Sequence, residues 1–345
     1  MRFSFALICT QKSVILACFA TMMGLCVVLG GGCDGNDLPP GLPTAAPGPA
    51  KRVVSLAPSL TQMIHDLGAA DMLVAVAEND DVEPNLPTVG SYLNVDHEAL
   101  LATRPTHVLM LYGKEGVPDV LQKLASTQGF ELFAYPYPNS IVEMMQILDR
   151  VGENEAANAT ASLGLALDRE RAGFWLSRQF FVKFADIGKT VSDQPRSRVL
   201  MVINTDQLTA SGHNTVHDDV LGFLNAKNAV VDFRSSAPRL DREMLITAKP
   251  QVILLLQPNA PLLKSLDKDS RLAIFRNLDI PAVTDNRIIL INDPQVLLPS
   301  TSLVRIGVLM AKAIYPDLSD KFDKVLASDN IDAQASGTTK SNPFD

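Results

Sequence analysis

The side chains of this chain that could meet a ligand are of types that hold rather than react. Tyr92 and Tyr112 stand in strand-end loops, where a ring can lie against a flat conjugated surface with its polar tip free. Arg234, in a polar loop, carries the fork geometry that grips a carboxylate. Pro58, Ser59, Asn79, Asp80, Asn214 and Gln257 fall in similar loops and add a rigid turn, a hydroxyl, amides and a carboxylate. His213 and His217 are four apart, a spacing that puts two imidazoles on one helix face and would suit a metal. His213 precedes the expected helix, however, and no nearby His or Cys completes a set, so no metal is expected. His65, His97 and His107 fall on different elements and read as structural. No Gly-x-Ser-x-Gly occurs and no Gly-x-Gly-x-x-Gly follows a strand, so the chain reads as a non-enzyme without a cofactor.

The elements that position these residues are written twice. Glu98-Ala-Leu-Leu-Ala-Thr-Arg-Pro-Thr-His-Val-Leu-Met-Leu111 returns as Glu243-Met-Leu-Ile-Thr-Ala-Lys-Pro-Gln-Val-Ile-Leu-Leu-Leu256, at an offset of 243 − 98 = 145. Each copy predicts a short helix opened by an acid, which suits a positive helix N-terminus. The residue before the proline is driven out of the α region, ending the helix. The apolar run that follows is of the kind a strand buried on both faces requires. Short apolar strands alternating with amphipathic helices on either side of this block predict an α/β fold. The expected architecture is two similar lobes with parallel, helix-flanked sheets. Residues 153–187, without proline and with only Gly164 and Gly173 as weak points, predict a helix of roughly 50 Å, and the connecting helix between the lobes is assigned to 153–190. The N-terminal lobe is assigned to 51–152 and the C-terminal lobe to 191–317; the polar run 318–345 reads as a disordered tail. The acid of each copy, Glu98 and Glu243, has two readings at this point: a partner for the helix dipole, or a contact for something outside.

Of the 345 residues, the four cysteines (Cys9, Cys18, Cys26, Cys33) all precede residue 34, so no disulfide staples the body. Arg2 and Lys12 precede an apolar stretch that ends in Gly30-Gly31-Gly32-Cys33. Residues 1–32 therefore read as a lipoprotein-type signal peptide with lipidation at Cys33, or else as an uncleaved anchor. Residues 33–50 are a tether rich in Gly, Pro and Ala. The net charge of −8 argues against nucleic acid and against a polybasic docking face. These features place the body in the cell envelope, on the periplasmic face, held by lipid.

Arg52-Val-Val-Ser-Leu-Ala-Pro-Ser-Leu-Thr61, Val89-Gly-Ser-Tyr-Leu-Asn-Val-Asp-His-Glu98, the Arg-Pro-Thr-His-Val-Leu strand and Thr209-Ala-Ser-Gly212 occur in this order. Together they resemble the long-helix (class III) solute-binding proteins of bacterial ABC importers, which capture cobalamin, haem or ferric siderophores. The resemblance covers about 51–316. It implies a ligand held between the lobes, where Pro58, Ser59, Asn79, Asp80, Tyr92 and Tyr112 would face His213, Asn214, Arg234 and Gln257. It also implies that Glu98 and Glu243 dock onto a homodimeric permease with its ATPase. The family often has an aromatic where Glu78 and Asn79 stand here, so no one member's pocket is copied. A zinc or manganese receptor on a related scaffold is the alternative, and an enzyme on the same lobes a remoter one.

Overall fold

A computed structural model of the chain describes residues 50–91, 94–149, 161–230, 235–265 and 268–327. The signal assigned to 1–32 and the tether assigned to 33–50, apart from Ala50, lie outside the described residues, as do Cys33, Tyr92, Arg234 and the run 328–345.

The first half of the body runs β1 (Val53–Ser55), α1 (Pro58–Asp66), β2 (Leu73–Val76), the antiparallel pair β3 (Gly90–Ser91) and β4 (Asn94–Val95), α2 (His97–Ala102), β5 (His107–Tyr112), α3 (Asp119–Gln128), β6 (Glu131–Pro136) and α4 (Ile141–Leu148). α5 (Leu163–Ala166) and α6 (Glu170–Val191) follow. The second half runs β7 (Arg198–Asn204), β8 (Thr209–Ala210), α7 (Val216–Phe223), β9 (Lys227–Asn228), α8 (Arg242–Ala248), β10 (Val252–Leu256), α9 (Pro281–Thr284), β11 (Ile288–Ile291), α10 (Leu303–Ile314) and α11 (Ser319–Ala327). The first sheet is ordered β2-β1-β5-β6, all parallel. The second is ordered β9-β7-β10-β11, also parallel, with β8 antiparallel on the edge of β7. The two orders correspond strand for strand, so the fold is α/β with duplicated, helix-flanked sheets.

The duplication extends to hydrogen bonds. Asp96 accepts from the Glu98 and Ala99 amides at the start of α2, and Asp241 accepts from the Met244 amide at the start of α8. Each helix thus opens on an aspartate cap two residues before the repeated glutamate. Ahead of the prolines, Arg104 (φ 50°) and Lys249 (φ 44°) are left-handed, a conformation that costs a residue with a Cβ about 1 kcal/mol or more. Arginines at the strand starts help to hold it. Arg52 Nε donates to the Thr103 and Arg104 carbonyls at 3.1 Å, and Arg198 Nε to the Lys249 carbonyl at 3.0 Å. The backbone amides of the same arginines donate to Thr106 Oγ1 at 2.8 Å and Gln251 Oε1 at 2.9 Å. The apolar strands β5 and β10 are buried along their length, apart from half-buried Tyr112.

The connecting helix is shorter than 153–190. Residues 150–160 lie outside the described residues, and α5 is separated from α6 by a turn in which Asp168 has φ 57°. The 22 residues of α6 span about 33 Å. A Cβ on Gly173 would stand 2.9 Å from the Leu148 carbonyl, so the start of α6 lies directly on the end of α4. The 318–345 tail is also revised, because α11 is a helix that buries Phe322 and Val325 and accepts a 2.6 Å bond at the Val325 carbonyl from the buried Lys183 ammonium of α6. The apolar spacing of 262–277 reads as helical, yet among its described residues the one regular element is a 3₁₀ turn at Ser270–Phe275.

One buried cluster joins the halves. It runs from Val53 and Leu60 through Phe180, Phe184 and Ile187 of α6 to Val199, Val220, Ile306 and Phe322. Phe184 lies 4.9 Å from the Phe180 ring and 5.0 Å from that of Phe223. Gly307 lets α10 meet this stack, since a Cβ there would be 2.9 Å from Phe184 Cε1.

Candidate functional site

Beyond the carboxyl ends of β1 and β2 on one side and β10 and β11 on the other lies a cleft of about 1010 Å³. Strand-end crevices of this kind are where open α/β sheets bind ligands. Pro58, Gln62, His65 and Asp66 of α1 form one wall, extended by Asn79, Asp81 and Val82 from the loop after β2. Pro258, Pro294, Gln295 and Leu298 form the opposite wall with Thr301, Ser302, Val304 and Arg305 around the start of α10, and Leu326 reaches it from α11.

The loop after β2 is held from beneath. Asp80 is buried and accepts from the Thr61 hydroxyl at 2.7 Å and the Val82 amide at 2.9 Å. With Asp80 turned inward and Asn79 left-handed at φ 61°, Asn79 and Asp81 line the cleft on either side of it. His65 Nε2 lies 2.6 Å from Glu83 Oε1. On the opposite wall Arg305 pairs with Asp293 and donates to Gln295 Oε1 at 3.0 Å. Burial pulls the Arg305 guanidinium below its ordinary pKa, and the charge of Asp66 opposes that shift. Three side-chain bonds cross between the walls: Gln295 to Gln62, Thr301 to Asp66, and Asn259 to Asp81 at 3.3 Å.

The cleft brings together only some of the residues expected from sequence. Pro58 and Asn79 line it. Ser59 is buried within α1 and Asp80 serves the loop. Tyr112 is half-buried against the outer core of the first sheet, because it is the last residue of β5 and points with that strand's packed face. His213 is bound by the Asp218 carboxylate at 3.3 Å and the Val230 carbonyl at 3.0 Å. Asn214 is exposed at φ 57°, and the Gln257 amide donates to Thr205 Oγ1 at 3.0 Å, leaving the adjacent Pro258 on the cleft wall. His217 is buried, bonded to the Val296 carbonyl at 2.7 Å, and its pKa is lowered by that burial. The two histidines are therefore held by different partners. Among the described residues no group of three or more His, Cys, Asp and Glu could hold a metal. Gln62, His65, Asp66, Gln295, Thr301 and Arg305 were not foreseen. On α1 the available signal was the polar stripe Gln62, His65, Asp66 opposite the buried Leu60, Met63, Ile64 and Leu67. Glu98 and Glu243 are both exposed, each in the first turn of its helix.

A family model described as "Periplasmic binding protein" matches residues 53–294. The chain belongs to that family. As a periplasmic binding protein it is a substrate-binding component of an ABC importer, acts outside the cytoplasm with a permease and ATPase as partners, and is not an enzyme. Among curated proteins, the vitamin B12-binding protein of Yersinia pestis (strain Pestoides F) is 29% identical over 209 residues, covering 59% of this chain and 69% of that one. Solved structures share the fold. The periplasmic haem-binding protein HutB of Vibrio cholerae superposes with a TM-score of 0.64 at 22% identity, over 78% of this chain and 100% of that one. The periplasmic vitamin B12-binding protein BtuF of Vibrio cholerae gives 0.57 at 17%, over 81% and 99%.

Proposed function

We propose that this periplasmic binding protein captures a corrinoid of the cobalamin type in its cleft, while tethered to the membrane by lipid at Cys33, and delivers it to a homodimeric permease. The observation that carries the reading is the charge and chemistry of the cleft walls. Asp66 and Asp81 line the cleft, and Arg305, the one arginine or lysine among the described lining residues, already pairs with Asp293. Such walls disfavour ligands fringed with carboxylates. Amides from Gln62, Asn79 and Gln295, interspersed with prolines and aliphatic side chains, suit a large neutral ligand fringed with amides. The similarity to a vitamin B12-binding relative points the same way. The protein needs no resident cofactor for this. Haem or a ferric siderophore is the second reading; Arg305 favours it, since that guanidinium would exchange Asp293 for a ligand carboxylate. Equilibrium dialysis of the purified protein against cyanocobalamin, haemin and ferric siderophores separates the two. Saturable 1:1 uptake of cyanocobalamin is expected; saturation by haemin or a ferric chelate alone replaces the first reading with the second.

In this reading Glu98 and Glu243 are the matched charges that meet two equivalent permease subunits. Their exposure and their equivalent places on α2 and α8 support that role. Reversing both to lysine is expected to abolish uptake in cells while ligand affinity stays within about twofold. Loss of affinity instead would place them at the ligand.

A further inference from the structure

α6 buries one face in the shared core and turns the other to water. On the outer face Arg171, Phe174, Trp175, Arg178 and Val182 follow one another at helical spacing. Phe174 is 56% exposed, Trp175 42% and Val182 44%, and Leu165 of α5 beside them is 52% exposed. Glu170 is the one acid between Arg169 and Phe184, so this strip is cationic and aromatic on a chain whose net charge is −8. The start of the strip is also where the body meets its N-terminal extension. Lys51 Nζ lies 2.8 Å from Asp168 Oδ2 and donates to the Ala166 carbonyl at 2.7 Å, pinning the chain beside α5 and the first turn of α6. Residues 34–49 can span at most about 55 Å fully extended, which bounds how far this corner stands from Cys33.

From this conjunction we propose that the outer face of α6 rests on an anionic lipid bilayer, a contact that depends on the lipid-anchor reading above. Trp175 enters the headgroup layer, where an aromatic ring with a polar edge is favoured, and Phe174 adds apolar area beside it. Arg171 and Arg178 meet lipid phosphates, which they can hold by paired hydrogen bonds. The contact is superficial: among the described residues no helix is long and apolar enough to cross a membrane.

Trp175 is the sole tryptophan of the chain, so its emission reports on this spot alone. The full-length lipidated protein is reconstituted into vesicles of phosphatidylethanolamine with phosphatidylglycerol, with and without brominated acyl chains. Emission shifted to the blue and quenched at least roughly twofold by the brominated chains is expected. R171E/R178E is expected to co-float with the vesicles, bind ligand as before and lose the quenching. Protein that co-floats but is not quenched overturns the proposal and leaves the anchor standing. Protein that does not co-float overturns the anchor and this contact together. A blue shift that grows with protein concentration in the absence of vesicles would assign the face to a second copy of the chain and overturn the membrane contact.

Discussion

Arg305 stands on the cleft wall with one carboxylate partner, Asp293, and one amide partner, Gln295. In the proposed reading that pairing sets the ligand charge the cleft accepts. Asp293 is only 10% exposed at its side chain while Arg305 is 44% exposed, so the acid is the settled member and the guanidinium the one able to turn outward. Neutralising the acid frees the cation. Asp293→Asn is expected to raise haemin affinity by about tenfold, the gain of one charge-assisted hydrogen bond of roughly 1.5 kcal/mol, while cyanocobalamin affinity stays within about twofold. Titration of both ligands against wild type and variant checks it, and an equal change in both would mean that Asp293 acts only on the shape of the wall. These residues were hard to read in the sequence for a physical reason. A polar residue on an amphipathic helix looks the same whether its face meets water or a cleft, so the polar stripe of α1 showed an outward face without showing that Gln62 and Asp66 meet a cleft. Arg305 lies near the end of the folded body and meets α1 only through the tertiary fold. Tyr112 and His213 looked suitable by type, yet packing and local hydrogen bonds claim them.

Among the elements, the segment after β10 shows how one side chain overrides a helical pattern. Asp269 is buried and accepts from the Lys264 amide at 3.0 Å, the Arg271 amide at 3.1 Å and the Arg271 guanidinium at 2.7 and 2.9 Å. Arg271 also donates to the Pro261 carbonyl at 2.8 Å, so the pair ties the chain into a loop ending in one 3₁₀ turn. An aspartate that captures backbone amides competes with a helix in this way. The guanidinium beside Asp269 holds its carboxyl well below the usual carboxylate range, and the Lys264 amide adds to the effect. For an acid whose folded-state pKa is depressed, the stabilisation is fully present above the unfolded value of about 4 and is lost as pH falls through the folded one. Asp269→Asn is therefore expected to lower Tm by roughly 3 °C at neutral pH, with the gap to wild type closing as pH falls below about 4. A gap independent of pH would show that the side chain's shape, rather than its charge, holds the loop. The other elements divide along similar lines. The paired helix–proline–strand blocks were legible because an acid, a proline and an apolar run recur in fixed order. The left-handed Arg104 and Lys249 were not, since long side chains give no sign of positive φ. α11 was hidden by polar composition, although Leu318, Phe322 and Val325 mark one apolar face at helical spacing.

At the scale of the whole molecule, the question is how two duplicated halves with a cleft between them respond to a ligand. A hinge requires a few chain crossings free to absorb dihedral change. Here the crossing is α6, a 22-residue helix whose Phe180, Phe184, Ile187 and Val191 belong to the same buried cluster as residues of both sheets. α10 and α11 add to that cluster, so rotating one half would shear a close-packed interior rather than bend a loop. The cleft is also bridged by Gln62 with Gln295, Asp66 with Thr301, and Asp81 with Asn259. A ligand must displace these bonds, each worth about 1 kcal/mol, but displacing them does not loosen the core beneath. Ligand entry should thus rearrange side chains at the mouth and leave the halves nearly in place. Small-angle scattering with and without saturating ligand is expected to give radii of gyration that agree within about 1 Å. A contraction of several ångströms would mean that the cluster around Phe184 yields, and that the separation of Glu98 and Glu243, the proposed docking pair, changes with occupancy. If the separation stays fixed, the proposed docking pair cannot report occupancy, and any difference between loaded and empty protein would lie at the cleft walls, where the bonds of Gln62, Asp66 and Asp81 would give way to ligand contacts.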